Sequence, residues 1–228
     1  MKQNIHAKPL LRKDNQVRRV EYALEHIDSL HMFHNFYNEV HVDEKWFSLF
    51  KVKQRVILHP LEERRVQKCT SKRYVPKIMF MAAVARPRYD SHTKTWFDGL
   101  IGIWPFITKK EAKRSSYKRK KGTIETVAIG NVTNVEHERM LVDNVIPAIK
   151  AKFPSSCKNQ PLYIQLDNAR PHTVRVDKLI EEQNRTSNDG WNILIKRQPP
   201  NSPDMNILDL VSENRFDSFV IAVGFRHL

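Results

Sequence analysis

YIQLDNARPH, Tyr163 to His172, is the stretch on which the reading of the whole chain turns. Leu162, Ile164 and Leu166 alternate with Tyr163, Gln165 and Asp167, a period of two that predicts a buried strand ending in an acid. The residues after Asp167 read as a loop turning into a helix over residues 173–185. Open α/β sheets place their ligands at strand ends of this kind.

Outward from this stretch, two further blocks hold acids with informative surroundings. In VHVDEKWF, Val40 to Phe47, Asp43 sits on a strand that is otherwise apolar and aromatic. Val40 and Val42 alternate with His41 and Asp43, so Asp43 faces away from the valines and Glu44 faces the other way. A carboxylate in such a strand must be paired, protonated or coordinated to a cation, because burying it alone is prohibitive. In QPPNSPDMNILDL, Gln198 to Leu210, there are two acids, Asp204 and Asp209. Asp204, preceded by Pro203 and followed by a predicted helix, is placed as its N-cap. Asp209 then lies about one and a half turns into that helix.

Strand patterns cover residues 39–50, 54–58, 77–86 and 95–107. The third is almost continuously apolar, as expected of a strand covered on both faces. A helix is predicted over 136–153, since Leu141, Val145, Ile149 and Phe153 are spaced by four and Thr133 with Glu136 forms a capping-box pattern. Pro147 should kink it. A strand at 191–195 completes an order of strands first, then alternating helices and strands. That order predicts an α/β fold with a mixed sheet flanked by helices.

With 40% hydrophobic and 28% charged residues, the 228-residue chain can bury an ordinary core, which excludes a wholly disordered or fibrous class. The longest apolar run, Ile78 to Ala85, is far short of the roughly 20 residues that span a bilayer. The start, MKQNIHAKPLLRKD, lacks an apolar segment of secretory length, so the chain is expected inside the cell. Cys69 and Cys157 are read as reduced thiols, being too few for a disulfide framework and lacking zinc-finger spacing.

The formal charge is +14, and half of that excess lies in TKKEAKRSSYKRKK, Thr108 to Lys121. Lys109, Lys110, Lys113, Arg114, Lys118, Arg119, Lys120 and Lys121 form a footprint suited to phosphate, with salt-dependent binding as the expected consequence. The same run also reads as a solvated loop with a nuclear-import signal at Lys118 to Lys121. Tyr117 could stack on an unpaired base. A second basic stretch, Lys8 to Arg19, opens a lead-in over 8–36. There Leu11, Val17, Val20, Leu24 and Ile27 recur at near-helical spacing, predicting an amphipathic helix.

Taken together and in order, the three acid-bearing blocks resemble the catalytic domain of mariner-superfamily transposases. DEKWF matches the family's D-E-[KR]-W/F-F, Asp167 to His172 matches D-N-A-x-x-H, and Ser202 to Asn206 matches S-P-D-[LM]-N, after which the family places its third acid. The resemblance runs from about Lys8 to Leu210, and VARPRYD, Val84 to Asp90, is similar to mariner-like elements of plant and oomycete type.

This resemblance implies a ribonuclease H-like catalytic domain over 37–228, with Asp43, Asp167 and Asp209 as catalytic, metal-binding residues. Glu44, Asn168 and His172 would support them. Read alone, Asp209 would belong to a solvated helix face shared with Glu213; for Asp43 and Asp167, given their strand settings, a structural ion pair with Lys or Arg is the competing reading. Oxygen donors without thiols suit Mg²⁺ or Mn²⁺, and two ions roughly 4 Å apart can serve in-line displacement at phosphorus. The attacking oxygen would come from water in cleavage and from a DNA 3′-hydroxyl in joining.

The implied function is that of a DDE-superfamily endonuclease performing cut-and-paste DNA transposition in the nucleus. Transposon ends and target DNA would be its partners, with no membrane, and a homodimer is allowed. Residues 1–36 are then expected to be the remnant linker of a missing helix-turn-helix domain, and the chain to be truncated or divergent after about 210. The forty-one residues between Asp167 and Asp209 exceed the commonest family interval, which predicts extra loop near 184–190. The alternative is a catalytically inactive, transposase-derived nucleic-acid-binding protein.

Overall fold

The computed structural model describes residues 10–48, 59, 75–117, 119–167, 175–187 and 189–210. The strand predicted at 54–58, Cys69, Lys118, Asn168, His172 and the tail after Leu210 lie outside the described residues.

A five-stranded mixed sheet organises the chain. Its members are β1 (Glu39–Ser48), β2 (Lys77–Ala85), β5 (Leu100–Pro105), β8 (Pro161–Leu166) and β9 (Asn192–Arg197). Across the sheet they lie in the order β5-β2-β1-β8-β9. Two short antiparallel pairs stand apart from it: β3 (Arg88–Asp90) with β4 (Thr95–Phe97), and β6 (Ile107–Glu111) with β7 (Ile124–Ala128). The strand predicted over 95–107 is thus three strands. Gly99 is one reason: it adopts φ +79°, and a Cβ there would collide with the Ala85 carbonyl, while the Gly99 oxygen accepts from the Ala85 N–H at 2.8 Å.

The helices are α1 (Lys13–Leu24), α2 (Asn134–Met140), α3 (Ile146–Lys152), α4 (Arg175–Ser187) and α5 (Ile207–Leu210). The capping box of Thr133 and Glu136 is present at the start of α2. Between α2 and α3 the helix widens into a π turn, Leu141–Val145. Pro147 has no N–H to give and its ring crowds the preceding turn, so a π turn just ahead of it keeps the helix running. Every fourth residue of the predicted apolar row, Leu141, Val145, Ile149 and Phe153, is buried. Helix α4 runs to Ser187 and so occupies part of the segment expected to be loop.

Contacts divide the chain into two compact units. The first comprises Met1–Asp43, Ala82–Trp104 and Thr133–Leu228; the second comprises Glu44–Met81 and Pro105–Val132. In the first, Val40, Val42, Ile164, Leu166, Ile193, Val176 and Ile180 are buried together with the α2–α3 row. Helix α4 is held to β9 by the Asp177–Arg197 ion pair at 2.8 Å and by Asn184, which exchanges hydrogen bonds with the Ile193 backbone. In the second, Phe106 is buried between two backbone bonds, donating to Met79 and accepting from Ile129, and Phe47 meets Phe80 edge to face.

The lead-in helix is shorter than its pattern, and it packs through other residues. Val17, Val20 and Leu24 are 55%, 58% and 59% exposed, whereas Tyr22 and His26 are buried. The surface α1 meets carries Glu39 and Lys196: the Lys196 ammonium lies 5.1 Å from the centre of the Tyr22 ring and the His26 imidazole contacts both side chains, which aliphatic side chains could not match. Cys157 is a buried free thiol that accepts a hydrogen bond from Arg88 at 3.0 Å. Among the described residues no helix is long and apolar enough to cross a membrane.

Candidate functional site

Two of the three candidate acids are positioned by strand register. Strand β1 pairs in parallel with β8, with Glu39 opposite Tyr163, Val40 opposite Ile164 and His41 opposite Gln165. The pairing ends two residues before Asp43 and before Asp167, the first residue past β8. Neighbouring strands lie about 4.8 Å apart, so the paired backbones run side by side towards these acids. Alternation then assigns a common face to Glu39, His41 and Asp43 on β1 and to Tyr163, Gln165 and Asp167 on β8. Both aspartates are half-buried. Glu44 is assigned by the same alternation to the opposite face.

The segment carrying the third acid is tied to this face through the backbone before that acid. Gln165 is almost fully buried, and its amide donates to the Met205 carbonyl at 2.7 Å and to Gln198 at 3.3 Å. The segment 203–210 is therefore tethered to the face on which Gln165 lies. Asp204 is not the helix N-cap: it sits inside a 3₁₀ turn, Pro203–Met205, and pairs with Arg19 of α1. The capping role belongs to Asn206, fully buried, whose side-chain oxygen accepts from the Leu208 N–H at 3.0 Å. Asp209 is accordingly in the first turn of α5, not one and a half turns in, and it is exposed. An acid there is favoured by the partial positive charge of the helix start.

The donor chemistry of these acids suits a hard divalent cation. Their gathering does not yet: among the described residues, no group of three or more His, Cys, Asp or Glu side chains is arranged to hold a metal ion.

Beside the acids, the shared face carries a polar cluster. His26 Nδ1 must hold a hydrogen, because its neighbour at 2.6 Å is the Tyr22 carbonyl, which can only accept. Lys196 Nζ lies 2.7 Å from His26 Nε2 and 3.4 Å from Glu39 Oε1. Burial works against ionisation of Glu39, but His26 and Lys196 outweigh it and hold the carboxyl below its ordinary value. Burial is also the main reason that the His41 imidazole is shifted below its ordinary value. The Tyr22 hydroxyl, Glu39 Oε2 and His41 Nδ1 are buried with no hydrogen-bond partner among the described residues. Sequence reasoning passed over this cluster, although the Val40/Val42 alternation that exposed Asp43 already put Glu39 and His41 on the same side.

The basic segment begins on one strand of a hairpin and continues through the loop that connects its two strands. Ile107 to Glu111 pairs with Ile124 to Ala128, and Ser116 bridges Arg119 at the tip. Lys109, Lys110, Lys113, Arg114, Arg119, Lys120 and Lys121 are all exposed, as is Tyr117. Arg119 pairs with Glu125 across the ladder. Lys109 and Lys110, adjacent on β6, face opposite sides of the ribbon, and Lys113, Arg114, Lys120 and Lys121 stand exposed in the connecting loop, where cations can meet phosphate.

No protein-family model and no curated protein matches the chain. Solved structures do. The chain is similar to the catalytic domain of Mos1 mariner transposase, at 17% identity over 96% of this chain and 76% of that one, with a TM-score of 0.51. It is similar to the Mos1 transposase paired-end complex with left transposon end, at 16% identity, 97% and 53% coverage and a TM-score of 0.54. The Mos1 paired-end complex with Mg gives 17% identity, 97% and 52% coverage and a TM-score of 0.57. The chain thus spans about half the length of the transposase in those complexes. At these identities the likeness concerns the fold, and the five-stranded mixed sheet flanked by helices is the ribonuclease H-like fold of the Mos1 catalytic domain.

Proposed function

We propose that the chain is the catalytic domain of a mariner-like transposase of plant or oomycete type, cleaving DNA strands and transferring them to a target. Asp43, Asp167 and Asp209 are the residues assigned to catalysis and to divalent metal, Mg²⁺ or Mn²⁺, with two ions expected. What supports this reading is the β1–β8 register, which pairs His41 with Gln165 two residues short of Asp43 and Asp167, while Gln165 ties down the backbone leading to Asp209. Strand ends of this kind are where open α/β sheets place their ligands. The exposed hairpin supplies the phosphate-binding charge, and Lys118 to Lys121 the import signal for a nuclear location. A homodimer on paired transposon ends belongs to the same proposal.

A second reading, a transposase-derived DNA-binding protein without chemistry, is favoured by one observation: the three acids do not form a metal-holding group among the described residues. One experiment separates the two. Supercoiled DNA incubated with the chain and Mn²⁺ should be nicked, and Asp167→Asn should slow nicking at least about 100-fold, about 2.7 kcal/mol of barrier. Absence of nicking by the unmodified chain, with salt-sensitive DNA binding retained, would establish the second reading instead.

A further inference from the structure

Helix α1 is fastened at two points. Two residues past its C-terminal end, His26 meets Glu39 and Lys196 on the polar face of the sheet. In its second half Arg19 reaches across 185 residues of sequence and grips Asp204 with two parallel bonds, Nη1 to Oδ1 at 2.8 Å and Nη2 to Oδ2 at 2.6 Å. This fork-to-fork pairing fixes orientation as well as distance, which a lysine could not do. The hydrogen bond with Asp204 also pushes the Arg19 guanidinium above its ordinary value, against a smaller opposing effect of burial.

What Arg19 grips matters more than the strength of the grip. Asp204 is 56% exposed at the side chain, so the pair adds little to global stability. Yet Asp204 lies one residue before Met205, whose carbonyl Gln165 holds, and two before Asn206, which caps the helix carrying Asp209. The backbone bonds of the 203–210 segment among the described residues are short-range: Met205 to Ser202, Asn206 to Pro203, and Asp209 and Leu210 to Asn206. A clasp from β8 on one side and from α1 on the other holds this segment on the face, with Asn206 and Leu208 buried beneath it.

We propose that Arg19 is a positioning residue: through Asp204 the lead-in helix sets where the third acid stands, so that α1 and the Asp209 segment act as one body. The proposal rests on the assignment of Asp209 to the active site, and it couples the chain's N-terminal approach to the completeness of that site.

Hydrogen exchange of the unmodified and variant chains, without metal or DNA, tests the clasp directly. Arg19→Ala should speed exchange of the Met205, Asp209 and Leu210 amides on the order of 10-fold while β8 amides keep their protection. The exchanged pair Arg19→Asp with Asp204→Arg should restore most of it. Unchanged exchange in Arg19→Ala overturns the proposal. In the nicking assay the same variant should lower kcat with KM for DNA unchanged, again restored by the exchanged pair. Altered exchange with an unaltered kcat would overturn the positioning role and leave Arg19 a structural residue. If the unmodified chain does not nick, the functional reading fails by itself, and exchange still decides whether the clasp exists.

Discussion

The polar face of β1, β8 and β9 and the β6–β7 hairpin are both rich in charge, and they handle it in opposite ways. On the sheet, Glu39, His26 and Lys196 are largely withdrawn from water, and each contacts the others within 3.4 Å. On the hairpin, Lys109, Lys110, Lys113 and Arg114 stand in solvent. The first arrangement has an energetic cost and tolerates little change, because removing one member strands another. The second costs almost nothing to keep and remains open to a partner. A buried charge thus marks where geometry must be held, and an exposed one marks where a polyanion can be met.

The sharpest way to break this contrast is to remove apolar support from each region. Ile164→Ala, in the centre of β8 with no exposure, should destabilise the chain by about 2–5 kcal/mol in urea titration. Ile124→Ala, 66% exposed on β7, should stay within about 0.5 kcal/mol. Comparable losses at both positions would mean that the hairpin is part of the core.

A smaller effect, but one with a signature in pH, is expected at Glu39. Its carboxyl is held below the ordinary 4.5, so its contribution is present above that value and is lost as pH falls through the folded-state value. Glu39→Gln should therefore cost about 1–3 kcal/mol near neutrality, a difference that narrows in acid below about pH 4.5. A gap between the two proteins that is constant over the acid range would show that Glu39 carries no linked proton.

The hairpin should respond in binding and hardly at all in stability. Changing Lys109, Lys110 and Lys113 together to Gln should lower the salt slope of duplex DNA binding by about 2–3 units, with the unfolding midpoint nearly unmoved. An unaltered slope would remove the hairpin from the DNA interface.

Much of the site could be read along the chain because strands and caps are local devices. The alternation at 40–43 and 162–167 placed Asp43 within its strand and Asp167 at the end of its own, and the Thr133–Glu136 spacing announced the start of α2. Asp204 shows where local reading ends. Its position after Pro203 has every mark of an N-cap, but a guanidinium 185 residues away competes for the carboxylate, and Asn206 caps the helix instead. The exposed Val17, Val20 and Leu24 make the same point: helical spacing identified α1, and the polar surface it lies on selected Tyr22 and His26 as the packing face.

The amino-acid order by itself determined which segments could be strands, which acids ended them and where positive charge would accumulate, since each depends on neighbours within a few residues. Only the tertiary structure decided that β1 runs parallel to β8 with His41 opposite Gln165, and that α1 reaches the segment carrying Asp209. Pairing register and long-range ion pairs depend on which surfaces meet after the chain has folded, and no local spacing encodes that meeting.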